Sequence, residues 1–387
     1  MDKIVYLDNA ATSWPKPPCV IKAMKKFIEE EGGNPGRSGH RLSIQALRRL
    51  DDTREALASM FGARNPLSVV FTSGLTEAVN LVVFGYLRDG DKVVTTTMEH
   101  NSVLRPLYVQ RERGVEVAIV KCNVDGSLDL ERIHDAIDGN TKLVAITHAS
   151  NVTGNVMPIA DVAKMAHEKG ASILVDAGQT GGCIPVNVEE EKIDFLAFAG
   201  HKGLLGPPGT GGLIIGERVD IERLTPLKFG GSGGRSESKK QPGGLPDKYE
   251  SGTLNGVGIA GLGASTRLVL SEGIDVIRAR EKLLLEKLLT GLTEIDGVTV
   301  YGPLSAEACA PVVSFNVGGM TPQIVGTILD EEYGILARAG LQCSPLAHET
   351  IGTSPNGAVR FGIGYYTETL SLDHAIDAVG TIASKAR

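Results

Sequence analysis

A chain of 387 residues is too long for one small core and calls for one large and one smaller domain. Its 42% hydrophobic and 22% charged content is that of a soluble globular enzyme, and a net charge of -7 without a long basic run argues against nucleic acid or an anionic membrane as main partner. Five scattered cysteines without a C-x-x-C pair, and the lack of a signal-peptide core or an apolar run of membrane length, fit a reducing, cytoplasmic setting.

Residues 1–14 hold a short strand, Ile4 to Leu7, and a turn of small residues, an N-terminal segment expected to pack with the small domain. Pro15, Pro17 and Pro18 then open a helix that Gly32 and Gly33 stop. A glycine-rich loop, GGNPGRSGHR, leads into a long amphipathic helix from Leu42 to Phe61. From there apolar runs and helical patterns alternate: SVVF, KVVTT, VEVAIV and KLVAITH each precede a helix, and SILVDA, DFLAF and GGLII complete the set. This order predicts an α/β fold, a large doubly wound, mostly parallel sheet domain over 15–256 whose strand ends share one edge. Residues 228–256 are rich in glycine and poor in apolar side chains, the composition of a long irregular segment that is functional or mobile. Two helices follow, Val257 to Leu270 and Ile274 to Leu292. The strands VTVYG, VVSFNV and AVRFGIG then alternate with further helical patterns, a smaller C-terminal α+β domain over 257–387.

Chemistry concentrates where strands end. The stretch DFLAFAGHKGLLGPPGTGG places His201 and Lys202 on a tight turn after a buried strand, at the edge where open α/β sheets bind ligands. A lysine there is suited to a Schiff base with an aldehyde cofactor, although an exposed lysine in a glycine-rich turn fits the stretch as well. In Phe71-Thr72-Ser73-Gly74-Leu75-Thr76-Glu77 a strand ends and a helix starts near Leu75. That is either a phosphate site with the Thr76 hydroxyl or an ordinary capped helix start. Asp176, at the end of an apolar strand, needs a cationic partner, which a protonated pyridine nitrogen or an arginine satisfies. His100 follows the strand KVVTT, placed to stack on a ring and handle protons or to serve as a structural histidine. Asn151, in ASNVTG, reads either as a donor to a ring hydroxyl or as the holder of a turn. Arg360 interrupts an apolar strand and is shaped to clamp a carboxylate. Cys343, in RAGLQCSP, lies in a loop where a thiol is exposed, reactive or merely unreactive according to its environment.

Taken together, LDNAATS, S-G-x-T-E-A-x-N, the E-H pair, S-N-V-T-G, V-D-A-G-Q, G-H-K, E-S-G-T-x-N and R-x-G-x-x-C resemble the class V aminotransferase group of fold type I pyridoxal-phosphate enzymes, most closely the cysteine desulfurase / selenocysteine lyase family. The likeness runs over essentially the whole chain. It implies pyridoxal 5'-phosphate as cofactor, with Lys202 as its Schiff-base lysine, Asp176 as the pyridine-nitrogen partner and His100 as the stacked ring. Asn151 and Gln179 would face the ring hydroxyl, and the Leu75 backbone, Thr76 and His201 the phosphate. Gly252 and Thr253 would reach the phosphate of a neighbouring subunit in a homodimer. Arg360 would hold the substrate carboxylate, and Cys343 would accept sulfur from L-cysteine as a persulfide while L-alanine leaves. The same resemblance implies sulfur mobilisation for iron-sulfur cluster assembly, a sulfur-acceptor protein as partner and no metal. Two departures stand out: Ala199 replaces a phosphate-binding serine of many relatives, and Leu341 and Gln342 replace histidines that often precede the cysteine. The alternatives are a selenocysteine lyase, another class V activity in which Cys343 is incidental, or a non-catalytic sulfur-carrier scaffold.

Overall fold

The computed structural model describes residues 4–232 and 238–386. Residues 1–3 of the N-terminal segment, 233–237 of the glycine-rich segment and 387 lie outside the described residues. The apolar runs become a seven-stranded sheet in the order Val69–Thr72, Gly211–Ile215, Phe195–Ala199, Ser172–Asp176, Thr141–Thr147, Lys92–Thr96 and Glu116–Val120. Gly211–Ile215 runs antiparallel to both neighbours and the other adjoining strands pair in parallel, so the large domain is mostly parallel as expected. Helices cover both faces, and near-continuous apolar strands such as Phe195–Ala199, buried at all five positions, are what such coverage selects.

Three of the helices pack as a group. Gly256–Glu272 lies on Arg41–Met60 and Pro18–Lys26 and shares the core cluster of Arg41–Met60 through Ile259, Ala260, Leu262 and Val269. Close approach needs the glycines: a Cβ on Gly263 would collide with Thr53, whose hydroxyl instead reaches the Ile259 carbonyl at 3.3 Å. The first helix is shorter than the sequence suggests. Its regular part is Pro18–Lys26, and Phe27–Glu31 continues as one wide π-turn before Gly32.

The C-terminal sheet is antiparallel, ordered Arg338–Gly340, Ala358–Gly362, Val312–Val317 and Val298–Tyr301, and is backed by Ile274–Thr293, Pro322–Tyr333 and Thr369–Lys385. Val5–Tyr6 pairs in parallel with Ile335–Leu336, which brings the start of the described residues beside this sheet. The irregular segment ends at a buried anchor. Glu250 binds the Arg54 guanidinium and accepts the Phe71 N–H at 2.6 Å, joining helix, central sheet and segment at one point. No helix among the described residues is long and apolar enough to cross a membrane.

Candidate active site

Parallel strands present their carboxyl ends, at Thr96, Thr147, Asp176 and Ala199, on one edge of the sheet, and the segments that follow them enclose a cavity of about 380 Å³. Lys202 enters it from the turn after Phe195–Ala199. Gly200 N–H bonds the Thr210 carbonyl (2.9 Å), and Leu205, held at φ 61, returns its N–H to the Lys202 carbonyl (2.8 Å). The N-terminal segment braces the same turn, since the Thr12 hydroxyl (3.1 Å) and the Lys16 ammonium (2.8 Å) both donate to the His201 carbonyl. Burial pulls the Lys202 amine down to about 8; the Asp176 carboxylate opposes that shift, and Arg360 and Arg338 add to it.

Asp176 is buried, with Oδ1 accepting the Gly178 N–H (2.8 Å) and Oδ2 the Ser102 hydroxyl (3.4 Å). Burial raises its pKa, and the Gly178 bond and the Lys202 charge restrain the rise. Between the carboxylate and the amine lies a space kept open by Gly178. A Cβ there would sit 2.9 Å from Asp176 Oδ1, 3.0 Å from the Leu75 side chain and 3.8 Å from Lys202 Nζ. Gly178→Ala is therefore expected to crowd any ring seated between these groups. Overpacking of about 1–2 kcal/mol corresponds to roughly 5–30-fold weaker binding of such a ring, read by equilibrium titration.

The helix Leu75–Tyr86 starts at Gly74 with no side-chain cap, leaving its first amides toward the cavity that Leu75 and Thr76 line. His201 lines the same end, and its buried Nδ1 has no hydrogen-bond partner, an orphan that an anionic oxygen would satisfy. Burial, with help from the Lys202 and Lys16 charges, lowers His201 to about 4. Ala199 also lines the cavity and brings no hydroxyl, so the departure seen in the sequence removes a donor at this point. Glu77 on the same turn is engaged with Ser73 N–H (2.7 Å), Ser73 Oγ (2.6 Å) and Lys228 (2.6 Å).

His100 caps the helix Asn101–Glu112, its Nδ1 accepting the Ser102 N–H at 3.0 Å. Burial and the neighbouring cations Lys202 and Arg360 lower it to about 4, so it is a neutral ring whose proton belongs on Nε2. Arg360, 3% exposed, pairs with Asp8 (2.9 Å) and donates to the Asn151 carbonyl (3.0 Å), while its Nε has no partner. Directly across the strand pair stands Arg338, which also lines the cavity and approaches Cys343 Sγ at 3.8 Å.

The structure thus brings Leu75, Thr76, His100, Asn151, Asp176, Gln179, His201, Lys202, Cys343 and Arg360 into one cavity. Gly252 and Thr253 are not among them. They are exposed beside the 34–37 loop, where Arg37 donates to the Gly252 carbonyl at 3.0 Å and the Asn34 amide approaches Thr253 Oγ1 at 3.4 Å. Asn151 and Gln179 each have a protein partner as well: Asn151 bonds the segment around Cys343, and Gln179 donates to the Ala10 carbonyl at 3.1 Å. Cys343 is the exposed thiol of the five; Cys122, Cys183 and Cys309 are buried, and burial raises all three thiol pKa values. Sequence reasoning misses Asp8, Ser102 and Arg338. Two of them lie in motifs that offer a signal, Asp8 in LDNAATS and Arg338 in R-x-G-x-x-C, and Ser102 lies in none. Among the described residues no group of three or more His, Cys, Asp or Glu is placed to hold a metal ion.

This arrangement has close relatives. The family model for class-V aminotransferases matches residues 5–374. A probable cysteine desulfurase of Methanothermobacter thermautotrophicus is 40% identical over 371 residues, covering 94% of this chain and 90% of that protein. A cysteine desulfurase of Haloferax volcanii is 35% identical over 387 residues, covering 97% and 88%. Among solved structures, the apo cysteine desulfurase of Thermococcus onnurineus NA1 superposes with a TM-score of 0.92 at 33% identity, covering 99% of this chain and 95% of that one. With this identity spread over nearly the full length, the chain belongs to the cysteine desulfurase family of class V aminotransferase-type, pyridoxal-phosphate-fold proteins.

Proposed function

We propose that the protein is a pyridoxal-phosphate-dependent cysteine desulfurase that converts L-cysteine to L-alanine and retains the sulfur as a persulfide on Cys343. The observation that carries this reading is one cavity holding an exposed thiol, a lysine amine lowered to about 8, a buried carboxylate and two guanidiniums. The gap kept by Gly178 and the unpartnered His201 Nδ1 suit the cofactor's ring and phosphate.

In this reading Lys202 would carry the cofactor and Asp176 would keep a proton on its ring nitrogen. The helix start at Leu75, with Thr76 and His201, would bind the phosphate; Asn151 and Gln179 would bond the ring hydroxyl, and His100 would pack on the ring as a neutral imidazole. Bound there, the cofactor supplies an electron sink for charge developing at the substrate α-carbon. Arg360 lines the cavity and its guanidinium binds the cysteine carboxylate. The Lys202 amine takes the α-proton. Cys343 Sγ gives up its proton and bonds the substrate sulfur; the Cβ–S bond breaks with its electron pair on carbon, a proton equivalent to the one the thiol released is added to Cβ, and Lys202 returns its proton to Cα, which completes alanine. The balance is cysteine plus enzyme thiol to alanine plus enzyme persulfide. We further propose a cytoplasmic homodimer in which the exposed Gly252 and Thr253 complete the neighbouring subunit's phosphate site, with a sulfur-acceptor protein receiving the persulfide for iron-sulfur cluster assembly.

The test is an assay of the cofactor-loaded protein with L-cysteine and a thiol reductant, following alanine and sulfide together. Equal amounts of both are expected. Alanine from selenocysteine but none from cysteine would replace the reading by selenocysteine lyase, and a keto-acid product would replace it by transamination.

A further inference from the structure

The segment that carries Cys343 is exposed at its tip and tied at every other point. Gln342 and Cys343 both take left-handed backbone conformations, φ 43 and 61, which side chains other than glycine adopt only when their surroundings enforce it. Those surroundings are specific. The Gln342 side chain, 4% exposed, donates from Nε2 to the Ala358 carbonyl (2.7 Å) and receives His348 Nε2 on its Oε1 (2.5 Å). His348 is fully buried, and its Nδ1 meets the Thr353 hydroxyl at 2.6 Å. The bond polarities follow from one another: with Nε2 of Gln342 donating, Oε1 must accept, so His348 carries its proton on Nε2 and accepts from Thr353 on Nδ1. On the cavity side, Asn151 donates to the Gln342 carbonyl (2.8 Å) and accepts the Ser344 hydroxyl (2.7 Å), while the Asn101 N–H, at the start of its helix, donates to the Cys343 carbonyl (2.8 Å).

We propose that Gln342 is a positioning residue for the Cys343 thiol, acting through the buried chain Gln342–His348–Thr353 that anchors the loop from behind while Asn151 clamps it from the cavity. The proposal rests on the desulfurase reading for its kinetic consequence and on the geometry alone for its structural one. A glutamine in this buried place supplies both a donor and an acceptor without charge, which the Ala358 carbonyl and the His348 N–H each require.

The experiment uses full-length, cofactor-loaded protein in which Cys19, half-buried, is replaced by serine. A nitroxide label is attached at Cys343, and the same reaction on a Cys343→Ser control corrects for other sites. Gln342→Met keeps length and bulk but removes both bonds; Thr353→Val, which removes only the far link, serves if the first variant does not fold. A slow, immobilised spectrum is expected with Gln342 present, and a fast-tumbling component on substitution. In unlabelled protein the variant is expected to lose roughly 10-fold or more in kcat for alanine formation, with KM for cysteine within about twofold because Arg360 is untouched. A mobile label before substitution, or unchanged spectra and kcat after it, would overturn the assignment. If no alanine forms even with Gln342 present, the desulfurase reading fails, and the label spectra still decide the tether.

Discussion

Replacing Cys343 with alanine is expected to lower alanine formation from L-cysteine by about a thousandfold or more, while cofactor affinity and thermal stability stay close to those of the parent protein. The asymmetry follows from position. Cys343 Sγ is exposed at the rim of the cavity, and its one polar contact among the described residues is the long approach of Arg338 at 3.8 Å, so little packing is lost with it. The bonds that define its place come from the Asn101 N–H to the Cys343 carbonyl and from the side chains of the flanking Gln342 and Ser344, none of which needs the sulfur. Alanine and sulfide are the quantities to follow, with the cofactor spectrum as control. Unchanged turnover would mean that sulfur leaves the substrate without this thiol, and the remaining four cysteines offer no substitute at the cavity.

Lys202→Ala is expected to cost about four orders of magnitude in turnover, the upper range for loss of a positioned base, and to abolish covalent retention of the cofactor. Borohydride treatment followed by peptide mapping checks the second effect: the cofactor's mass should appear on the peptide containing Lys202 and be absent in the variant. The amine itself can be titrated in the cofactor-free chain with trinitrobenzenesulfonate, which modifies neutral amines. Its midpoint is expected at about 8, not at the ordinary 10.5, because burial and the Arg360 and Arg338 charges disfavour the ammonium more than Asp176 favours it. Linkage gives the sign of the stability effect. With its folded pKa depressed, Lys202 binds fewer protons folded than unfolded between pH about 8 and 10.5, so its unfavourable contribution is full below 8 and is relieved as pH rises through that window. The alanine variant should lack this part of the pH slope. A midpoint near 10.5 would mean that the amine is solvated and that the cavity does not tune it.

Elements with a strong local pattern are legible in the amino-acid sequence. Phe195–Ala199 is an uninterrupted apolar run bounded by turn residues, and Leu75–Tyr86 starts at a glycine two residues past the end of a strand, so both the lysine turn and the uncapped helix start lie where period and punctuation place them. The helix Ile274–Thr293 matches its expected span to within a residue for the same reason. Phe27–Glu31 reads as plain helix in the sequence because a π-turn has the same composition as the helix it continues.

The site divides along the same line. Which residues can do chemistry is set by the sequence itself: a lysine after a buried strand, a carboxylate at the end of another, a histidine before a helix, an arginine inside an apolar strand and a cysteine between glycine and proline. What those residues do to one another is decided by tertiary structure. Arg338–Gly340 is too short to show a period, yet its pairing with Ala358–Gly362 sets Arg338 opposite Arg360. Asn151 meets Gln342 and Ser344 from about 190 positions away, and Gln342 finds His348 only because the loop folds back into the small domain. Strand pairing and packing fix such contacts over distances at which local propensity carries no information. The sequence therefore specifies the reactive groups, and the fold specifies their protonation, their partners and the place at which the thiol is held.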